Sequence, residues 1–376
     1  MRILMLNYEF PPLGGGGGVA AYQLAKGFVE LGFEVDYITM WFKGLKKYEQ
    51  VGGVNVYRVK VLGRKDLQTA SMISLFSYPL AGLCKGIRLC RKNKYELINT
   101  HFVLPTGPLG YALSKIFGIR NILSIIGGDI YDPSKKNSPH RHFIFRFLIK
   151  RIINNADKVV AISNNTKDNA IKYYGIRRKL EVIPIPYEPI IFEEKSKRDL
   201  GLDESKKYII GVGRLVKRKG FDFFIRVLAK LPCDTCGIVI GDGPGEESLK
   251  KLAQELKIAN KVIFTGFVDQ NKKFQYLKNS DIFFLSSVHE GFGIVLQEAM
   301  QVGLPIIATN NGGQVDFIQD GQNGYLILFG DEREAVNRLS KLFLNHDIRR
   351  KISEFNKKAV SRFGVKEICA KYLELA

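Results

Sequence analysis

Short apolar runs recur along the chain and alternate with longer segments in which apolar residues have helical spacing. The runs have the length of strands and are bounded by glycine, proline or polar residues, so we interpret them as buried strands. The predicted strands of the first half cover residues 3–7, 35–39, 54–59, 97–100, 121–126 and 158–162. Those of the second half cover residues 208–212, 236–240, 261–265, 281–285 and 305–308.

This alternation of strand and helix predicts an α/β fold with doubly wound parallel sheets and right-handed crossovers. The first cycle is a strand at residues 3–7, a loop at 8–18 and a helix over about 19–31. A chain of 376 residues is too long for one core of usual size, so we expect two domains. The segment 183–196 holds three prolines and is predicted to link them, which gives domains of residues 1–190 and 191–357.

Charge is distributed unevenly along the chain. The net charge is +20, and residues 1–190 hold 28 Lys and Arg against 13 Asp and Glu, which is +15. Such a field favours an anionic partner: a membrane surface, a nucleic acid or a phosphorylated acceptor. Residues 70–94 and 135–151 interleave basic and apolar side chains. Both stretches suit helices that lie on an anionic bilayer, and equally helices that pack their apolar side on the sheet.

Composition excludes several classes of protein. No run of about 18 apolar residues predicts a transmembrane helix, and the first residues lack the apolar core of a signal peptide. The five cysteines are scattered, which argues against a disulfide framework. We therefore expect a cytoplasmic protein, and a peripheral position on the inner face of the cell membrane is the alternative that its basic domain suggests.

Two glutamates surround the start of a predicted helix after the strand at residues 281–285. Glu290 falls in the turn and Glu298 on the helix. Eight residues at the helical rise correspond to roughly 12 Å, about the span from a sugar across a diphosphate to a ribose. The free N–H groups at the helix start would face the diphosphate. On spacing alone, a solvated helix face is the more typical interpretation of two such glutamates.

Two further features follow predicted strands, where α/β folds bind ligands. Five consecutive glycines, Gly14 to Gly18, follow the first strand, and glycine lets backbone N–H groups approach a phosphate closely. A flexible linker is the alternative. Arg214 and Lys219 follow the strand at residues 208–212 and would neutralise a leaving diphosphate without a metal. Solvated surface is the alternative for these cations, and we interpret Lys217 and Arg218 in that way.

The sequence of these segments resembles that of glycosyltransferase family 4, and the resemblance extends over nearly the whole chain. The resemblance rests on E-G-F-G-I-V-L-Q-E-A-M from residue 290, P-P-L-G-G-G from 11, G-V-G-R-L-V-K-R-K-G from 211, G-D-G-P from 241 and T-G-F-V from 265. It implies the GT-B fold, two Rossmann-like domains facing across a cleft, with the first on the acceptor side and the second binding the donor. It also implies that a last helix, in residues 358–376, crosses back to the first domain.

The resemblance assigns roles to particular residues. The implied catalytic residues are Glu290, Arg214, Lys219 and Asp129. The implied donor-binding residues are Gly15, Gly16, Gly17, Arg214, Lys219, Gly241, Val268, Glu290, Phe292, Gly293, Ile294, Val295 and Glu298. His101 and Asp129 are candidates for the acceptor side, although each has an equally good structural interpretation. The chain departs from the family at Ile126, where many members have a histidine near the reaction centre.

The implied activity is metal-independent transfer of a sugar, with retention of configuration, from a nucleotide-sugar donor. UDP is the expected carrier and GDP the alternative. No cofactor is expected, and the acceptor would be a saccharide, a lipid-linked sugar or another glycoconjugate precursor. A nucleotide-sugar epimerase of the same fold would use the donor without an acceptor. A nucleic-acid-binding protein would fit the positive charge, but no recognised nucleic-acid module supports it.

Overall fold

A computed structural model describes all 376 residues and divides the chain into two compact units. The N-unit comprises Met1–Glu188 together with Phe363–Ala376, and the C-unit comprises Pro189–Arg362. The chain therefore returns to the N-unit for its last residues. None of the helices combines the length and the apolar character needed to span a bilayer.

The N-unit is built on one eight-stranded sheet. Its strands are β1 (Arg2–Leu6), β2 (Glu34–Met40), β3 (Tyr48–Val51), β4 (Val54–Val59), β5 (Leu97–His101), β6 (Arg120–Ile125), β7 (Lys158–Ala161) and β8 (Glu181–Val182). Its first helices are α1 (Gly16–Glu30), α2 (Met72–Lys92), α3 (Gly107–Phe117), α4 (Phe143–Asn155) and α5 (Asn164–Tyr174). The strand order is β3-β4-β2-β1-β5-β6-β7-β8, and every pairing is parallel except that of β3 with β4.

The C-unit is built on a six-stranded parallel sheet with the order β11-β10-β9-β12-β13-β14. Its strands are β9 (Lys207–Val212), β10 (Thr235–Ile240), β11 (Val262–Gly266), β12 (Ile282–Leu285), β13 (Ile306–Thr309) and β14 (Gly324–Ile327). Its helices are α6 (Phe221–Ala229), α7 (Glu246–Glu255), α8 (Gln270–Lys278), α9 (Ile294–Val302), α10 (Glu332–Leu344) and α11 (His346–Ala359). The last helix of the chain, α12 (Val365–Leu373), belongs to the N-unit.

Both sheets have the doubly wound order, so the predicted fold class is confirmed. In each sheet the order of strands reverses beside the first strand, between β1 and β5 in the N-unit and between β9 and β12 in the C-unit. Ligands of such sheets bind outside the carboxyl ends of the strands at this switch point. The residues that follow these four strands are therefore the first candidates for a site in each unit.

Two predicted boundaries are wrong. The helix predicted from residue 19 begins at Gly16, because Gly16 and Gly17 adopt helical geometry in its first turn. The helix predicted in residues 358–376 is two elements, since α11 ends at Ala359 and α12 begins at Val365. Between them the Tyr187 N–H donates to the Phe363 carbonyl at 2.8 Å, and this β-bridge geometry interrupts the helix.

Glycine allows α12 to pack closely on α1. A β-carbon added at Gly27 of α1 would lie 2.3 Å from Val365 Cγ1 and 2.6 Å from Cys369 Sγ of α12. The two helices share one hydrophobic cluster with β1 and β2, which includes Phe28 and Tyr372. The last helix thereby fixes the helix whose first turn carries the glycine run.

Asn356 of α11 joins two strand starts in the C-unit and generates a stability prediction. Its buried side-chain amide donates to the Leu304 carbonyl at 2.8 Å and to the Asn323 carbonyl at 3.1 Å. Asn356→Leu leaves both carbonyls without this donor and should cost about 2 kcal/mol of unfolding free energy. Thermal unfolding followed by circular dichroism should show a melting temperature about 4–8 °C lower. The exposed Asn337→Leu on α10 is the control, and equal melting temperatures for both variants would contradict the prediction.

Candidate active site

The loops after β9 and β12 are joined at the switch point of the C-unit. The Val288 N–H donates to the Arg218 carbonyl at 2.8 Å, and the Ser286 hydroxyl donates to the Lys219 carbonyl at 3.1 Å. Gly220 has a φ of 62°, and a β-carbon there would lie 2.1 Å from the Ser286 carbonyl oxygen. Only glycine fits this close approach, which brings Lys219 to the carboxyl end of β12.

Glu290 is the buried centre of this site. Its side chain is 7% exposed, and its Oε1 atom lies 2.5 Å from Lys219 Nζ and accepts a hydrogen bond from the Ser287 hydroxyl at 2.7 Å. Its Oε2 atom lies 3.9 Å from the Arg218 guanidinium. Burial by itself raises the pKa of Glu290, but the charges of Lys219 and Arg218 outweigh it and lower the pKa to about 2. Glu290 is therefore an ionised hydrogen-bond acceptor rather than an acid.

Glu298 has the same kind of partner but keeps one oxygen open. It lies on α9 with its side chain 8% exposed, and its Oε1 atom is 2.5 Å from Lys273 Nζ of α8. Its Oε2 atom is buried and has no hydrogen-bond partner in the protein. A buried carboxylate oxygen without a donor is costly, so this atom is suited to accept a hydrogen bond from a ligand hydroxyl.

The start of α9 separates the two glutamates. Gly293 precedes the helix with a φ of 102°, and Ile294 and Val295 form its first turn, whose N–H groups have no partner within a helix. Phe292 is buried, with its ring 4.5 Å from that of Phe317. This packing fixes the turn between Glu290 and the helix.

The other C-unit residues assigned by the motifs lie in loops that are joined to one another. The Leu215 N–H donates to the Asp242 carbonyl at 2.7 Å, and the Gly241 N–H donates to the Gly266 carbonyl at 2.9 Å. Gly241, with a φ of 129°, would hold a β-carbon only 2.1 Å from the Gly213 carbonyl oxygen. Arg214 is exposed in the loop after β9, and Val268 is half-buried just before α8.

Sequence reasoning missed several residues of this site. Arg218, which we interpreted as solvated surface, is a neighbour of Glu290, and the adjacent Lys219 was the signal that would have identified it. Ser287 lies three residues before Glu290, but serines are too common in turns for that spacing to be informative. Lys273 comes from a different helix, and no sequence pattern relates it to Glu298.

In the N-unit the glycine run encloses two side chains. The N–H groups of Gly15 and Gly18 donate to Glu9 Oε2 at 3.2 and 3.1 Å. A β-carbon at Gly17 would lie 2.4 Å from the ring of Phe102, which follows β5. The run is therefore a packed helix start rather than a flexible linker. Glu9, like Phe102, was not predicted as part of this feature.

Asp129 connects the loops that follow β5 and β6. It is 8% exposed, and its two oxygens accept hydrogen bonds from the N–H groups of Val103 at 2.6 Å and Ile126 at 3.1 Å. Burial nevertheless raises the pKa of Asp129 to about 6, against the opposing effect of these hydrogen bonds. The backbone of Ile126, the residue that replaces the histidine of other members, thus contributes to holding Asp129.

His101 lies at the end of β5 and is 3% exposed. Neither ring nitrogen has a hydrogen-bond partner in the protein. Burial lowers the pKa of His101 to about 3, so the ring is neutral at physiological pH. The structure places this acceptor candidate inside the sheet, close in sequence to Phe102 but covered from solvent.

Comparison with known proteins identifies the family. A model described as Glycosyltransferase Family 4 matches residues 14–189, and a model described as Glycosyl transferases group 1 matches residues 192–359. An uncharacterized glycosyltransferase of Methanocaldococcus jannaschii is 31% identical over 343 residues, which cover 86% of this chain and 84% of that protein. The chain belongs to glycosyltransferase family 4.

A further relative and two solved structures are also similar to this chain, and the two structures show that the fold is shared. The N-acetyl-alpha-D-glucosaminyl L-malate synthase of Bacillus anthracis is 27% identical over 96% of this chain and 93% of its own length. The fold is similar to that of sucrose-phosphate synthase from Thermosynechococcus elongatus, with a TM-score of 0.87, 21% identity and coverage of 100% and 98% of the two chains. It is also similar to Anabaena HepE in complex with UDP and glucose, with a TM-score of 0.78, 20% identity and the same coverage.

The raised pKa of Asp129 makes the stability of this glycosyltransferase depend on pH. In the folded state the pKa of Asp129 is about 6, whereas the ordinary pKa of a solvated aspartate, as in the unfolded chain, is 3.8. The stabilisation is therefore complete below about pH 4 and is lost as the pH rises through 6. Relative to Asp129→Asn, which does not titrate, the unfolding free energy of the parent should fall by up to about 3 kcal/mol between pH 4 and 7.

The fluorescence of Trp41 measures this effect, since it is the single tryptophan and lies in the N-unit with Asp129. Urea unfolding of the parent, Asp129→Asn and the exposed control Asp168→Asn would be followed from pH 4 to 7. An unfolding free energy of the parent, relative to that of Asp129→Asn, that stays constant or rises between pH 4 and 7 would contradict the prediction.

Proposed function

We propose that this glycosyltransferase moves a sugar, with retention of configuration, from a nucleotide-sugar donor to an acceptor, with UDP as the expected carrier and GDP as the alternative. The observation that carries the proposal is the pair of buried carboxylates, Glu290 and Glu298, each held by a lysine on either side of the start of α9. The name of the relative from Bacillus anthracis includes an N-acetyl-alpha-D-glucosaminyl group, and the HepE structure contains UDP and glucose. Both support a nucleotide-sugar donor.

Glu290 would orient the transferring sugar. Lys219 and Ser287 occupy its Oε1 atom, so Oε2 remains to accept a hydrogen bond from a sugar hydroxyl. The low pKa of Glu290 keeps this acceptor charged, and a charged acceptor makes the stronger hydrogen bond. Glu298 would accept a hydrogen bond from a ribose hydroxyl through its open Oε2 atom.

Cationic side chains would stabilise the departing diphosphate. Lys219 and Arg214 follow β9 at the switch point, and Arg218 adds a third positive charge beside Glu290. Fixed cations of this kind offset negative charge that develops on a leaving group, so the proposed transfer needs no metal ion. The departing phosphate oxygen can take the proton of the acceptor hydroxyl. Neither Asp129 nor His101 therefore needs to act as a strong base, and Asp129 would hold the loops on the acceptor side.

Neutralising each of the two carboxylates should change a different kinetic constant. Glu290→Gln should lower kcat by about tenfold or more with little change in the KM for donor, because it acts on the reacting sugar. Glu298→Gln should raise the KM for donor and the Kd for the nucleotide diphosphate by about tenfold or more, the equivalent of about 1.5–3 kcal/mol for a hydrogen bond to a charged group.

Nuclear magnetic resonance of the products, with EDTA present, measures turnover and shows the anomeric configuration of the new bond. The exposed Glu255→Gln on α7 removes the same charge from the C-unit and should behave as the parent. Wild-type constants in both active-site variants would refute the assignment of the carboxylates. Loss of parental activity in EDTA that manganese restores would refute the metal-free mechanism.

The N-unit also presents an apolar and basic surface, which we propose docks on an anionic membrane. On α2, Ser74, Tyr78 and Gly82 are buried, yet Met72, Ile73, Phe76 and Leu80 are 58–71% exposed. On α4, Ile149 and Ile153 are buried, yet Phe143, Ile144, Phe147 and Leu148 remain exposed. Packing on the sheet therefore accounts for only one side of each helix. Exposed cations on the same helices, Arg88, Arg91, Lys92, Lys150 and Arg151, complement an anionic bilayer.

This surface favours an acceptor that is lipid-linked or embedded in the membrane. Each cation near the bilayer contributes about 1 kcal/mol, so replacing Arg88, Arg91 and Lys92 by glutamine should weaken binding to anionic vesicles roughly a hundredfold. Co-sedimentation with anionic and neutral vesicles at low and high salt measures this. Replacing Arg350, Lys357 and Lys358 of the C-unit removes the same charge and should have little effect. If the parent sediments with neither lipid, a soluble acceptor replaces the membrane-bound one.

A further inference from the structure

A chain of buried hydrogen bonds leads from the loop after β13 to Glu290. The Gln314 side-chain amide donates to the Thr309 hydroxyl at 3.0 Å, and that hydroxyl donates to the Ser287 carbonyl at 2.5 Å. The Ser287 hydroxyl in turn donates to Glu290 Oε1 at 2.7 Å. Gln314 and Thr309 are fully buried, and Ser287 is 1% exposed. Bulk water therefore does not compete for these hydrogen bonds, which strengthens each of them.

The direction of each hydrogen bond in this chain is fixed. A hydroxyl has one proton, so Thr309, which donates it to Ser287, can only accept from Gln314. Both amide hydrogens of Gln314 are used, since its Nε2 atom also donates to the Asn311 carbonyl at 2.7 Å. Removing either side chain would therefore leave the Ser287 carbonyl less firmly held, and with it the hydroxyl that reaches the glutamate.

The same loop, residues 310–316, also holds the backbone of Glu290. The Gly313 N–H donates to the Glu290 carbonyl at 2.7 Å, and Gly312 pairs with Glu290 in a parallel β-bridge. Gly312 has a φ of 124°, and a β-carbon there would lie 2.4 Å from the Glu290 carbonyl oxygen and 2.6 Å from Gln314 Oε1. Glycine thus allows one loop to support both the main chain and the side chain of Glu290.

The Glu290 carboxylate requires this support because Lys219 alone does not fix its orientation. A lysine ammonium is a point charge on a flexible stem, so it attracts either oxygen of a carboxylate. The Ser287 side chain is short, and its backbone is held from β13, so its hydrogen bond selects Oε1. Oε2 is then the oxygen that faces a ligand.

We propose that Gln314 and Thr309 are positioning residues for sugar transfer, which hold the Glu290 carboxylate in the orientation that receives the sugar. They act through Ser287, and neither of them needs to contact the donor. The inference rests on the proposed function, in which Glu290 binds the transferring sugar. A displacement of about 1 Å at a reacting centre can cost a hundredfold in rate, so residues remote from the substrate can control kcat.

Thr309→Val and Gln314→Met test this inference, because each removes one link and keeps the approximate shape of the side chain. Each should lower kcat by about tenfold or more, and leave the KM for donor and the Kd for the nucleoside diphosphate within about twofold. Thr309→Ser keeps the hydroxyl and should keep the parental kcat. Thr235→Val is the matched control, since Thr235 is buried as well but begins β10 at the amino end of the same sheet.

Turnover would be followed as the release of nucleoside diphosphate from UDP-glucose, UDP-N-acetylglucosamine and GDP-mannose, and thermal unfolding would be measured on the same proteins. A residue that only stabilises the fold lowers the melting temperature without a selective loss of kcat, and Thr235→Val should behave in this way. Parental kcat in both Thr309→Val and Gln314→Met would overturn the inference, even if both variants melt at a lower temperature.

A double-mutant cycle shows whether the chain acts through Ser287. If it does, adding Thr309→Val to Ser287→Ala should lower kcat by less than about twofold, because the hydroxyl that Thr309 positions is already absent. A further tenfold loss would show that Thr309 acts independently of Ser287 and would overturn the inference. If Thr309→Val does not fold, Gln314→Met takes its place in the cycle. A parent that converts none of the three donors would count against the proposed function rather than against the positioning residues.

Discussion

The buried ion pair between Lys219 and Glu290 is the interaction on which the C-unit site depends. Removing two charges from water is costly, and their mutual attraction offsets this only when the geometry is fixed and further hydrogen bonds are made. The structure meets both conditions, since Ser287 donates to the same carboxylate and Gly220 lets the two loops touch. Such a pair contributes little net stability, and its position at the switch point supports the ligand-binding role that we propose for it.

The two glutamates are related but not equivalent. Glu290 has cationic neighbours at both oxygens, whereas Glu298 has one lysine and one open oxygen. Glu290 precedes α9 and Glu298 lies in its second turn, so the helix start, where the dipole adds positive charge, falls between them in the chain. The site therefore combines acceptors for hydroxyl groups with a positive region between them, and a nucleotide sugar presents the complementary arrangement of hydroxyls around a diphosphate.

Most strands of both sheets could be predicted from the sequence, because a buried parallel strand is a short apolar run that local residues alone define. Strands β3 and β8 escaped prediction since β3 is a short edge strand with half its side chains exposed and β8 has two residues. β14 was missed as well. The break before α12 depends on the pairing of Tyr187 with Gly364, a contact between distant parts of the chain.

The residues of the candidate site could likewise be predicted only where they lie in one continuous segment of the sequence. The motifs that carry the family resemblance predicted Glu290, Glu298 and Lys219, because each of these motifs is one continuous segment. Lys273 reaches Glu298 from a neighbouring helix, and Glu9 reaches the glycine run across a turn, so both contacts follow from the packed fold. Glycine runs are ambiguous in sequence because flexibility, phosphate binding and close packing all require the same residue. Only the positions of Glu9 and Phe102 show that close packing applies here.

The buried titratable residues of the two units have different partners, and this difference is relevant to the mechanism of transfer. In the C-unit the site carboxylates are paired with lysines and Glu290 is ionised at all physiological pH. In the N-unit His101 is neutral and Asp129 titrates near pH 6, with its oxygens bound to backbone N–H groups. A residue held in this way is poorly placed to take a proton from an acceptor. The loss of the usual histidine at Ile126 is therefore consistent with a transfer in which the leaving phosphate, rather than a side chain, receives that proton.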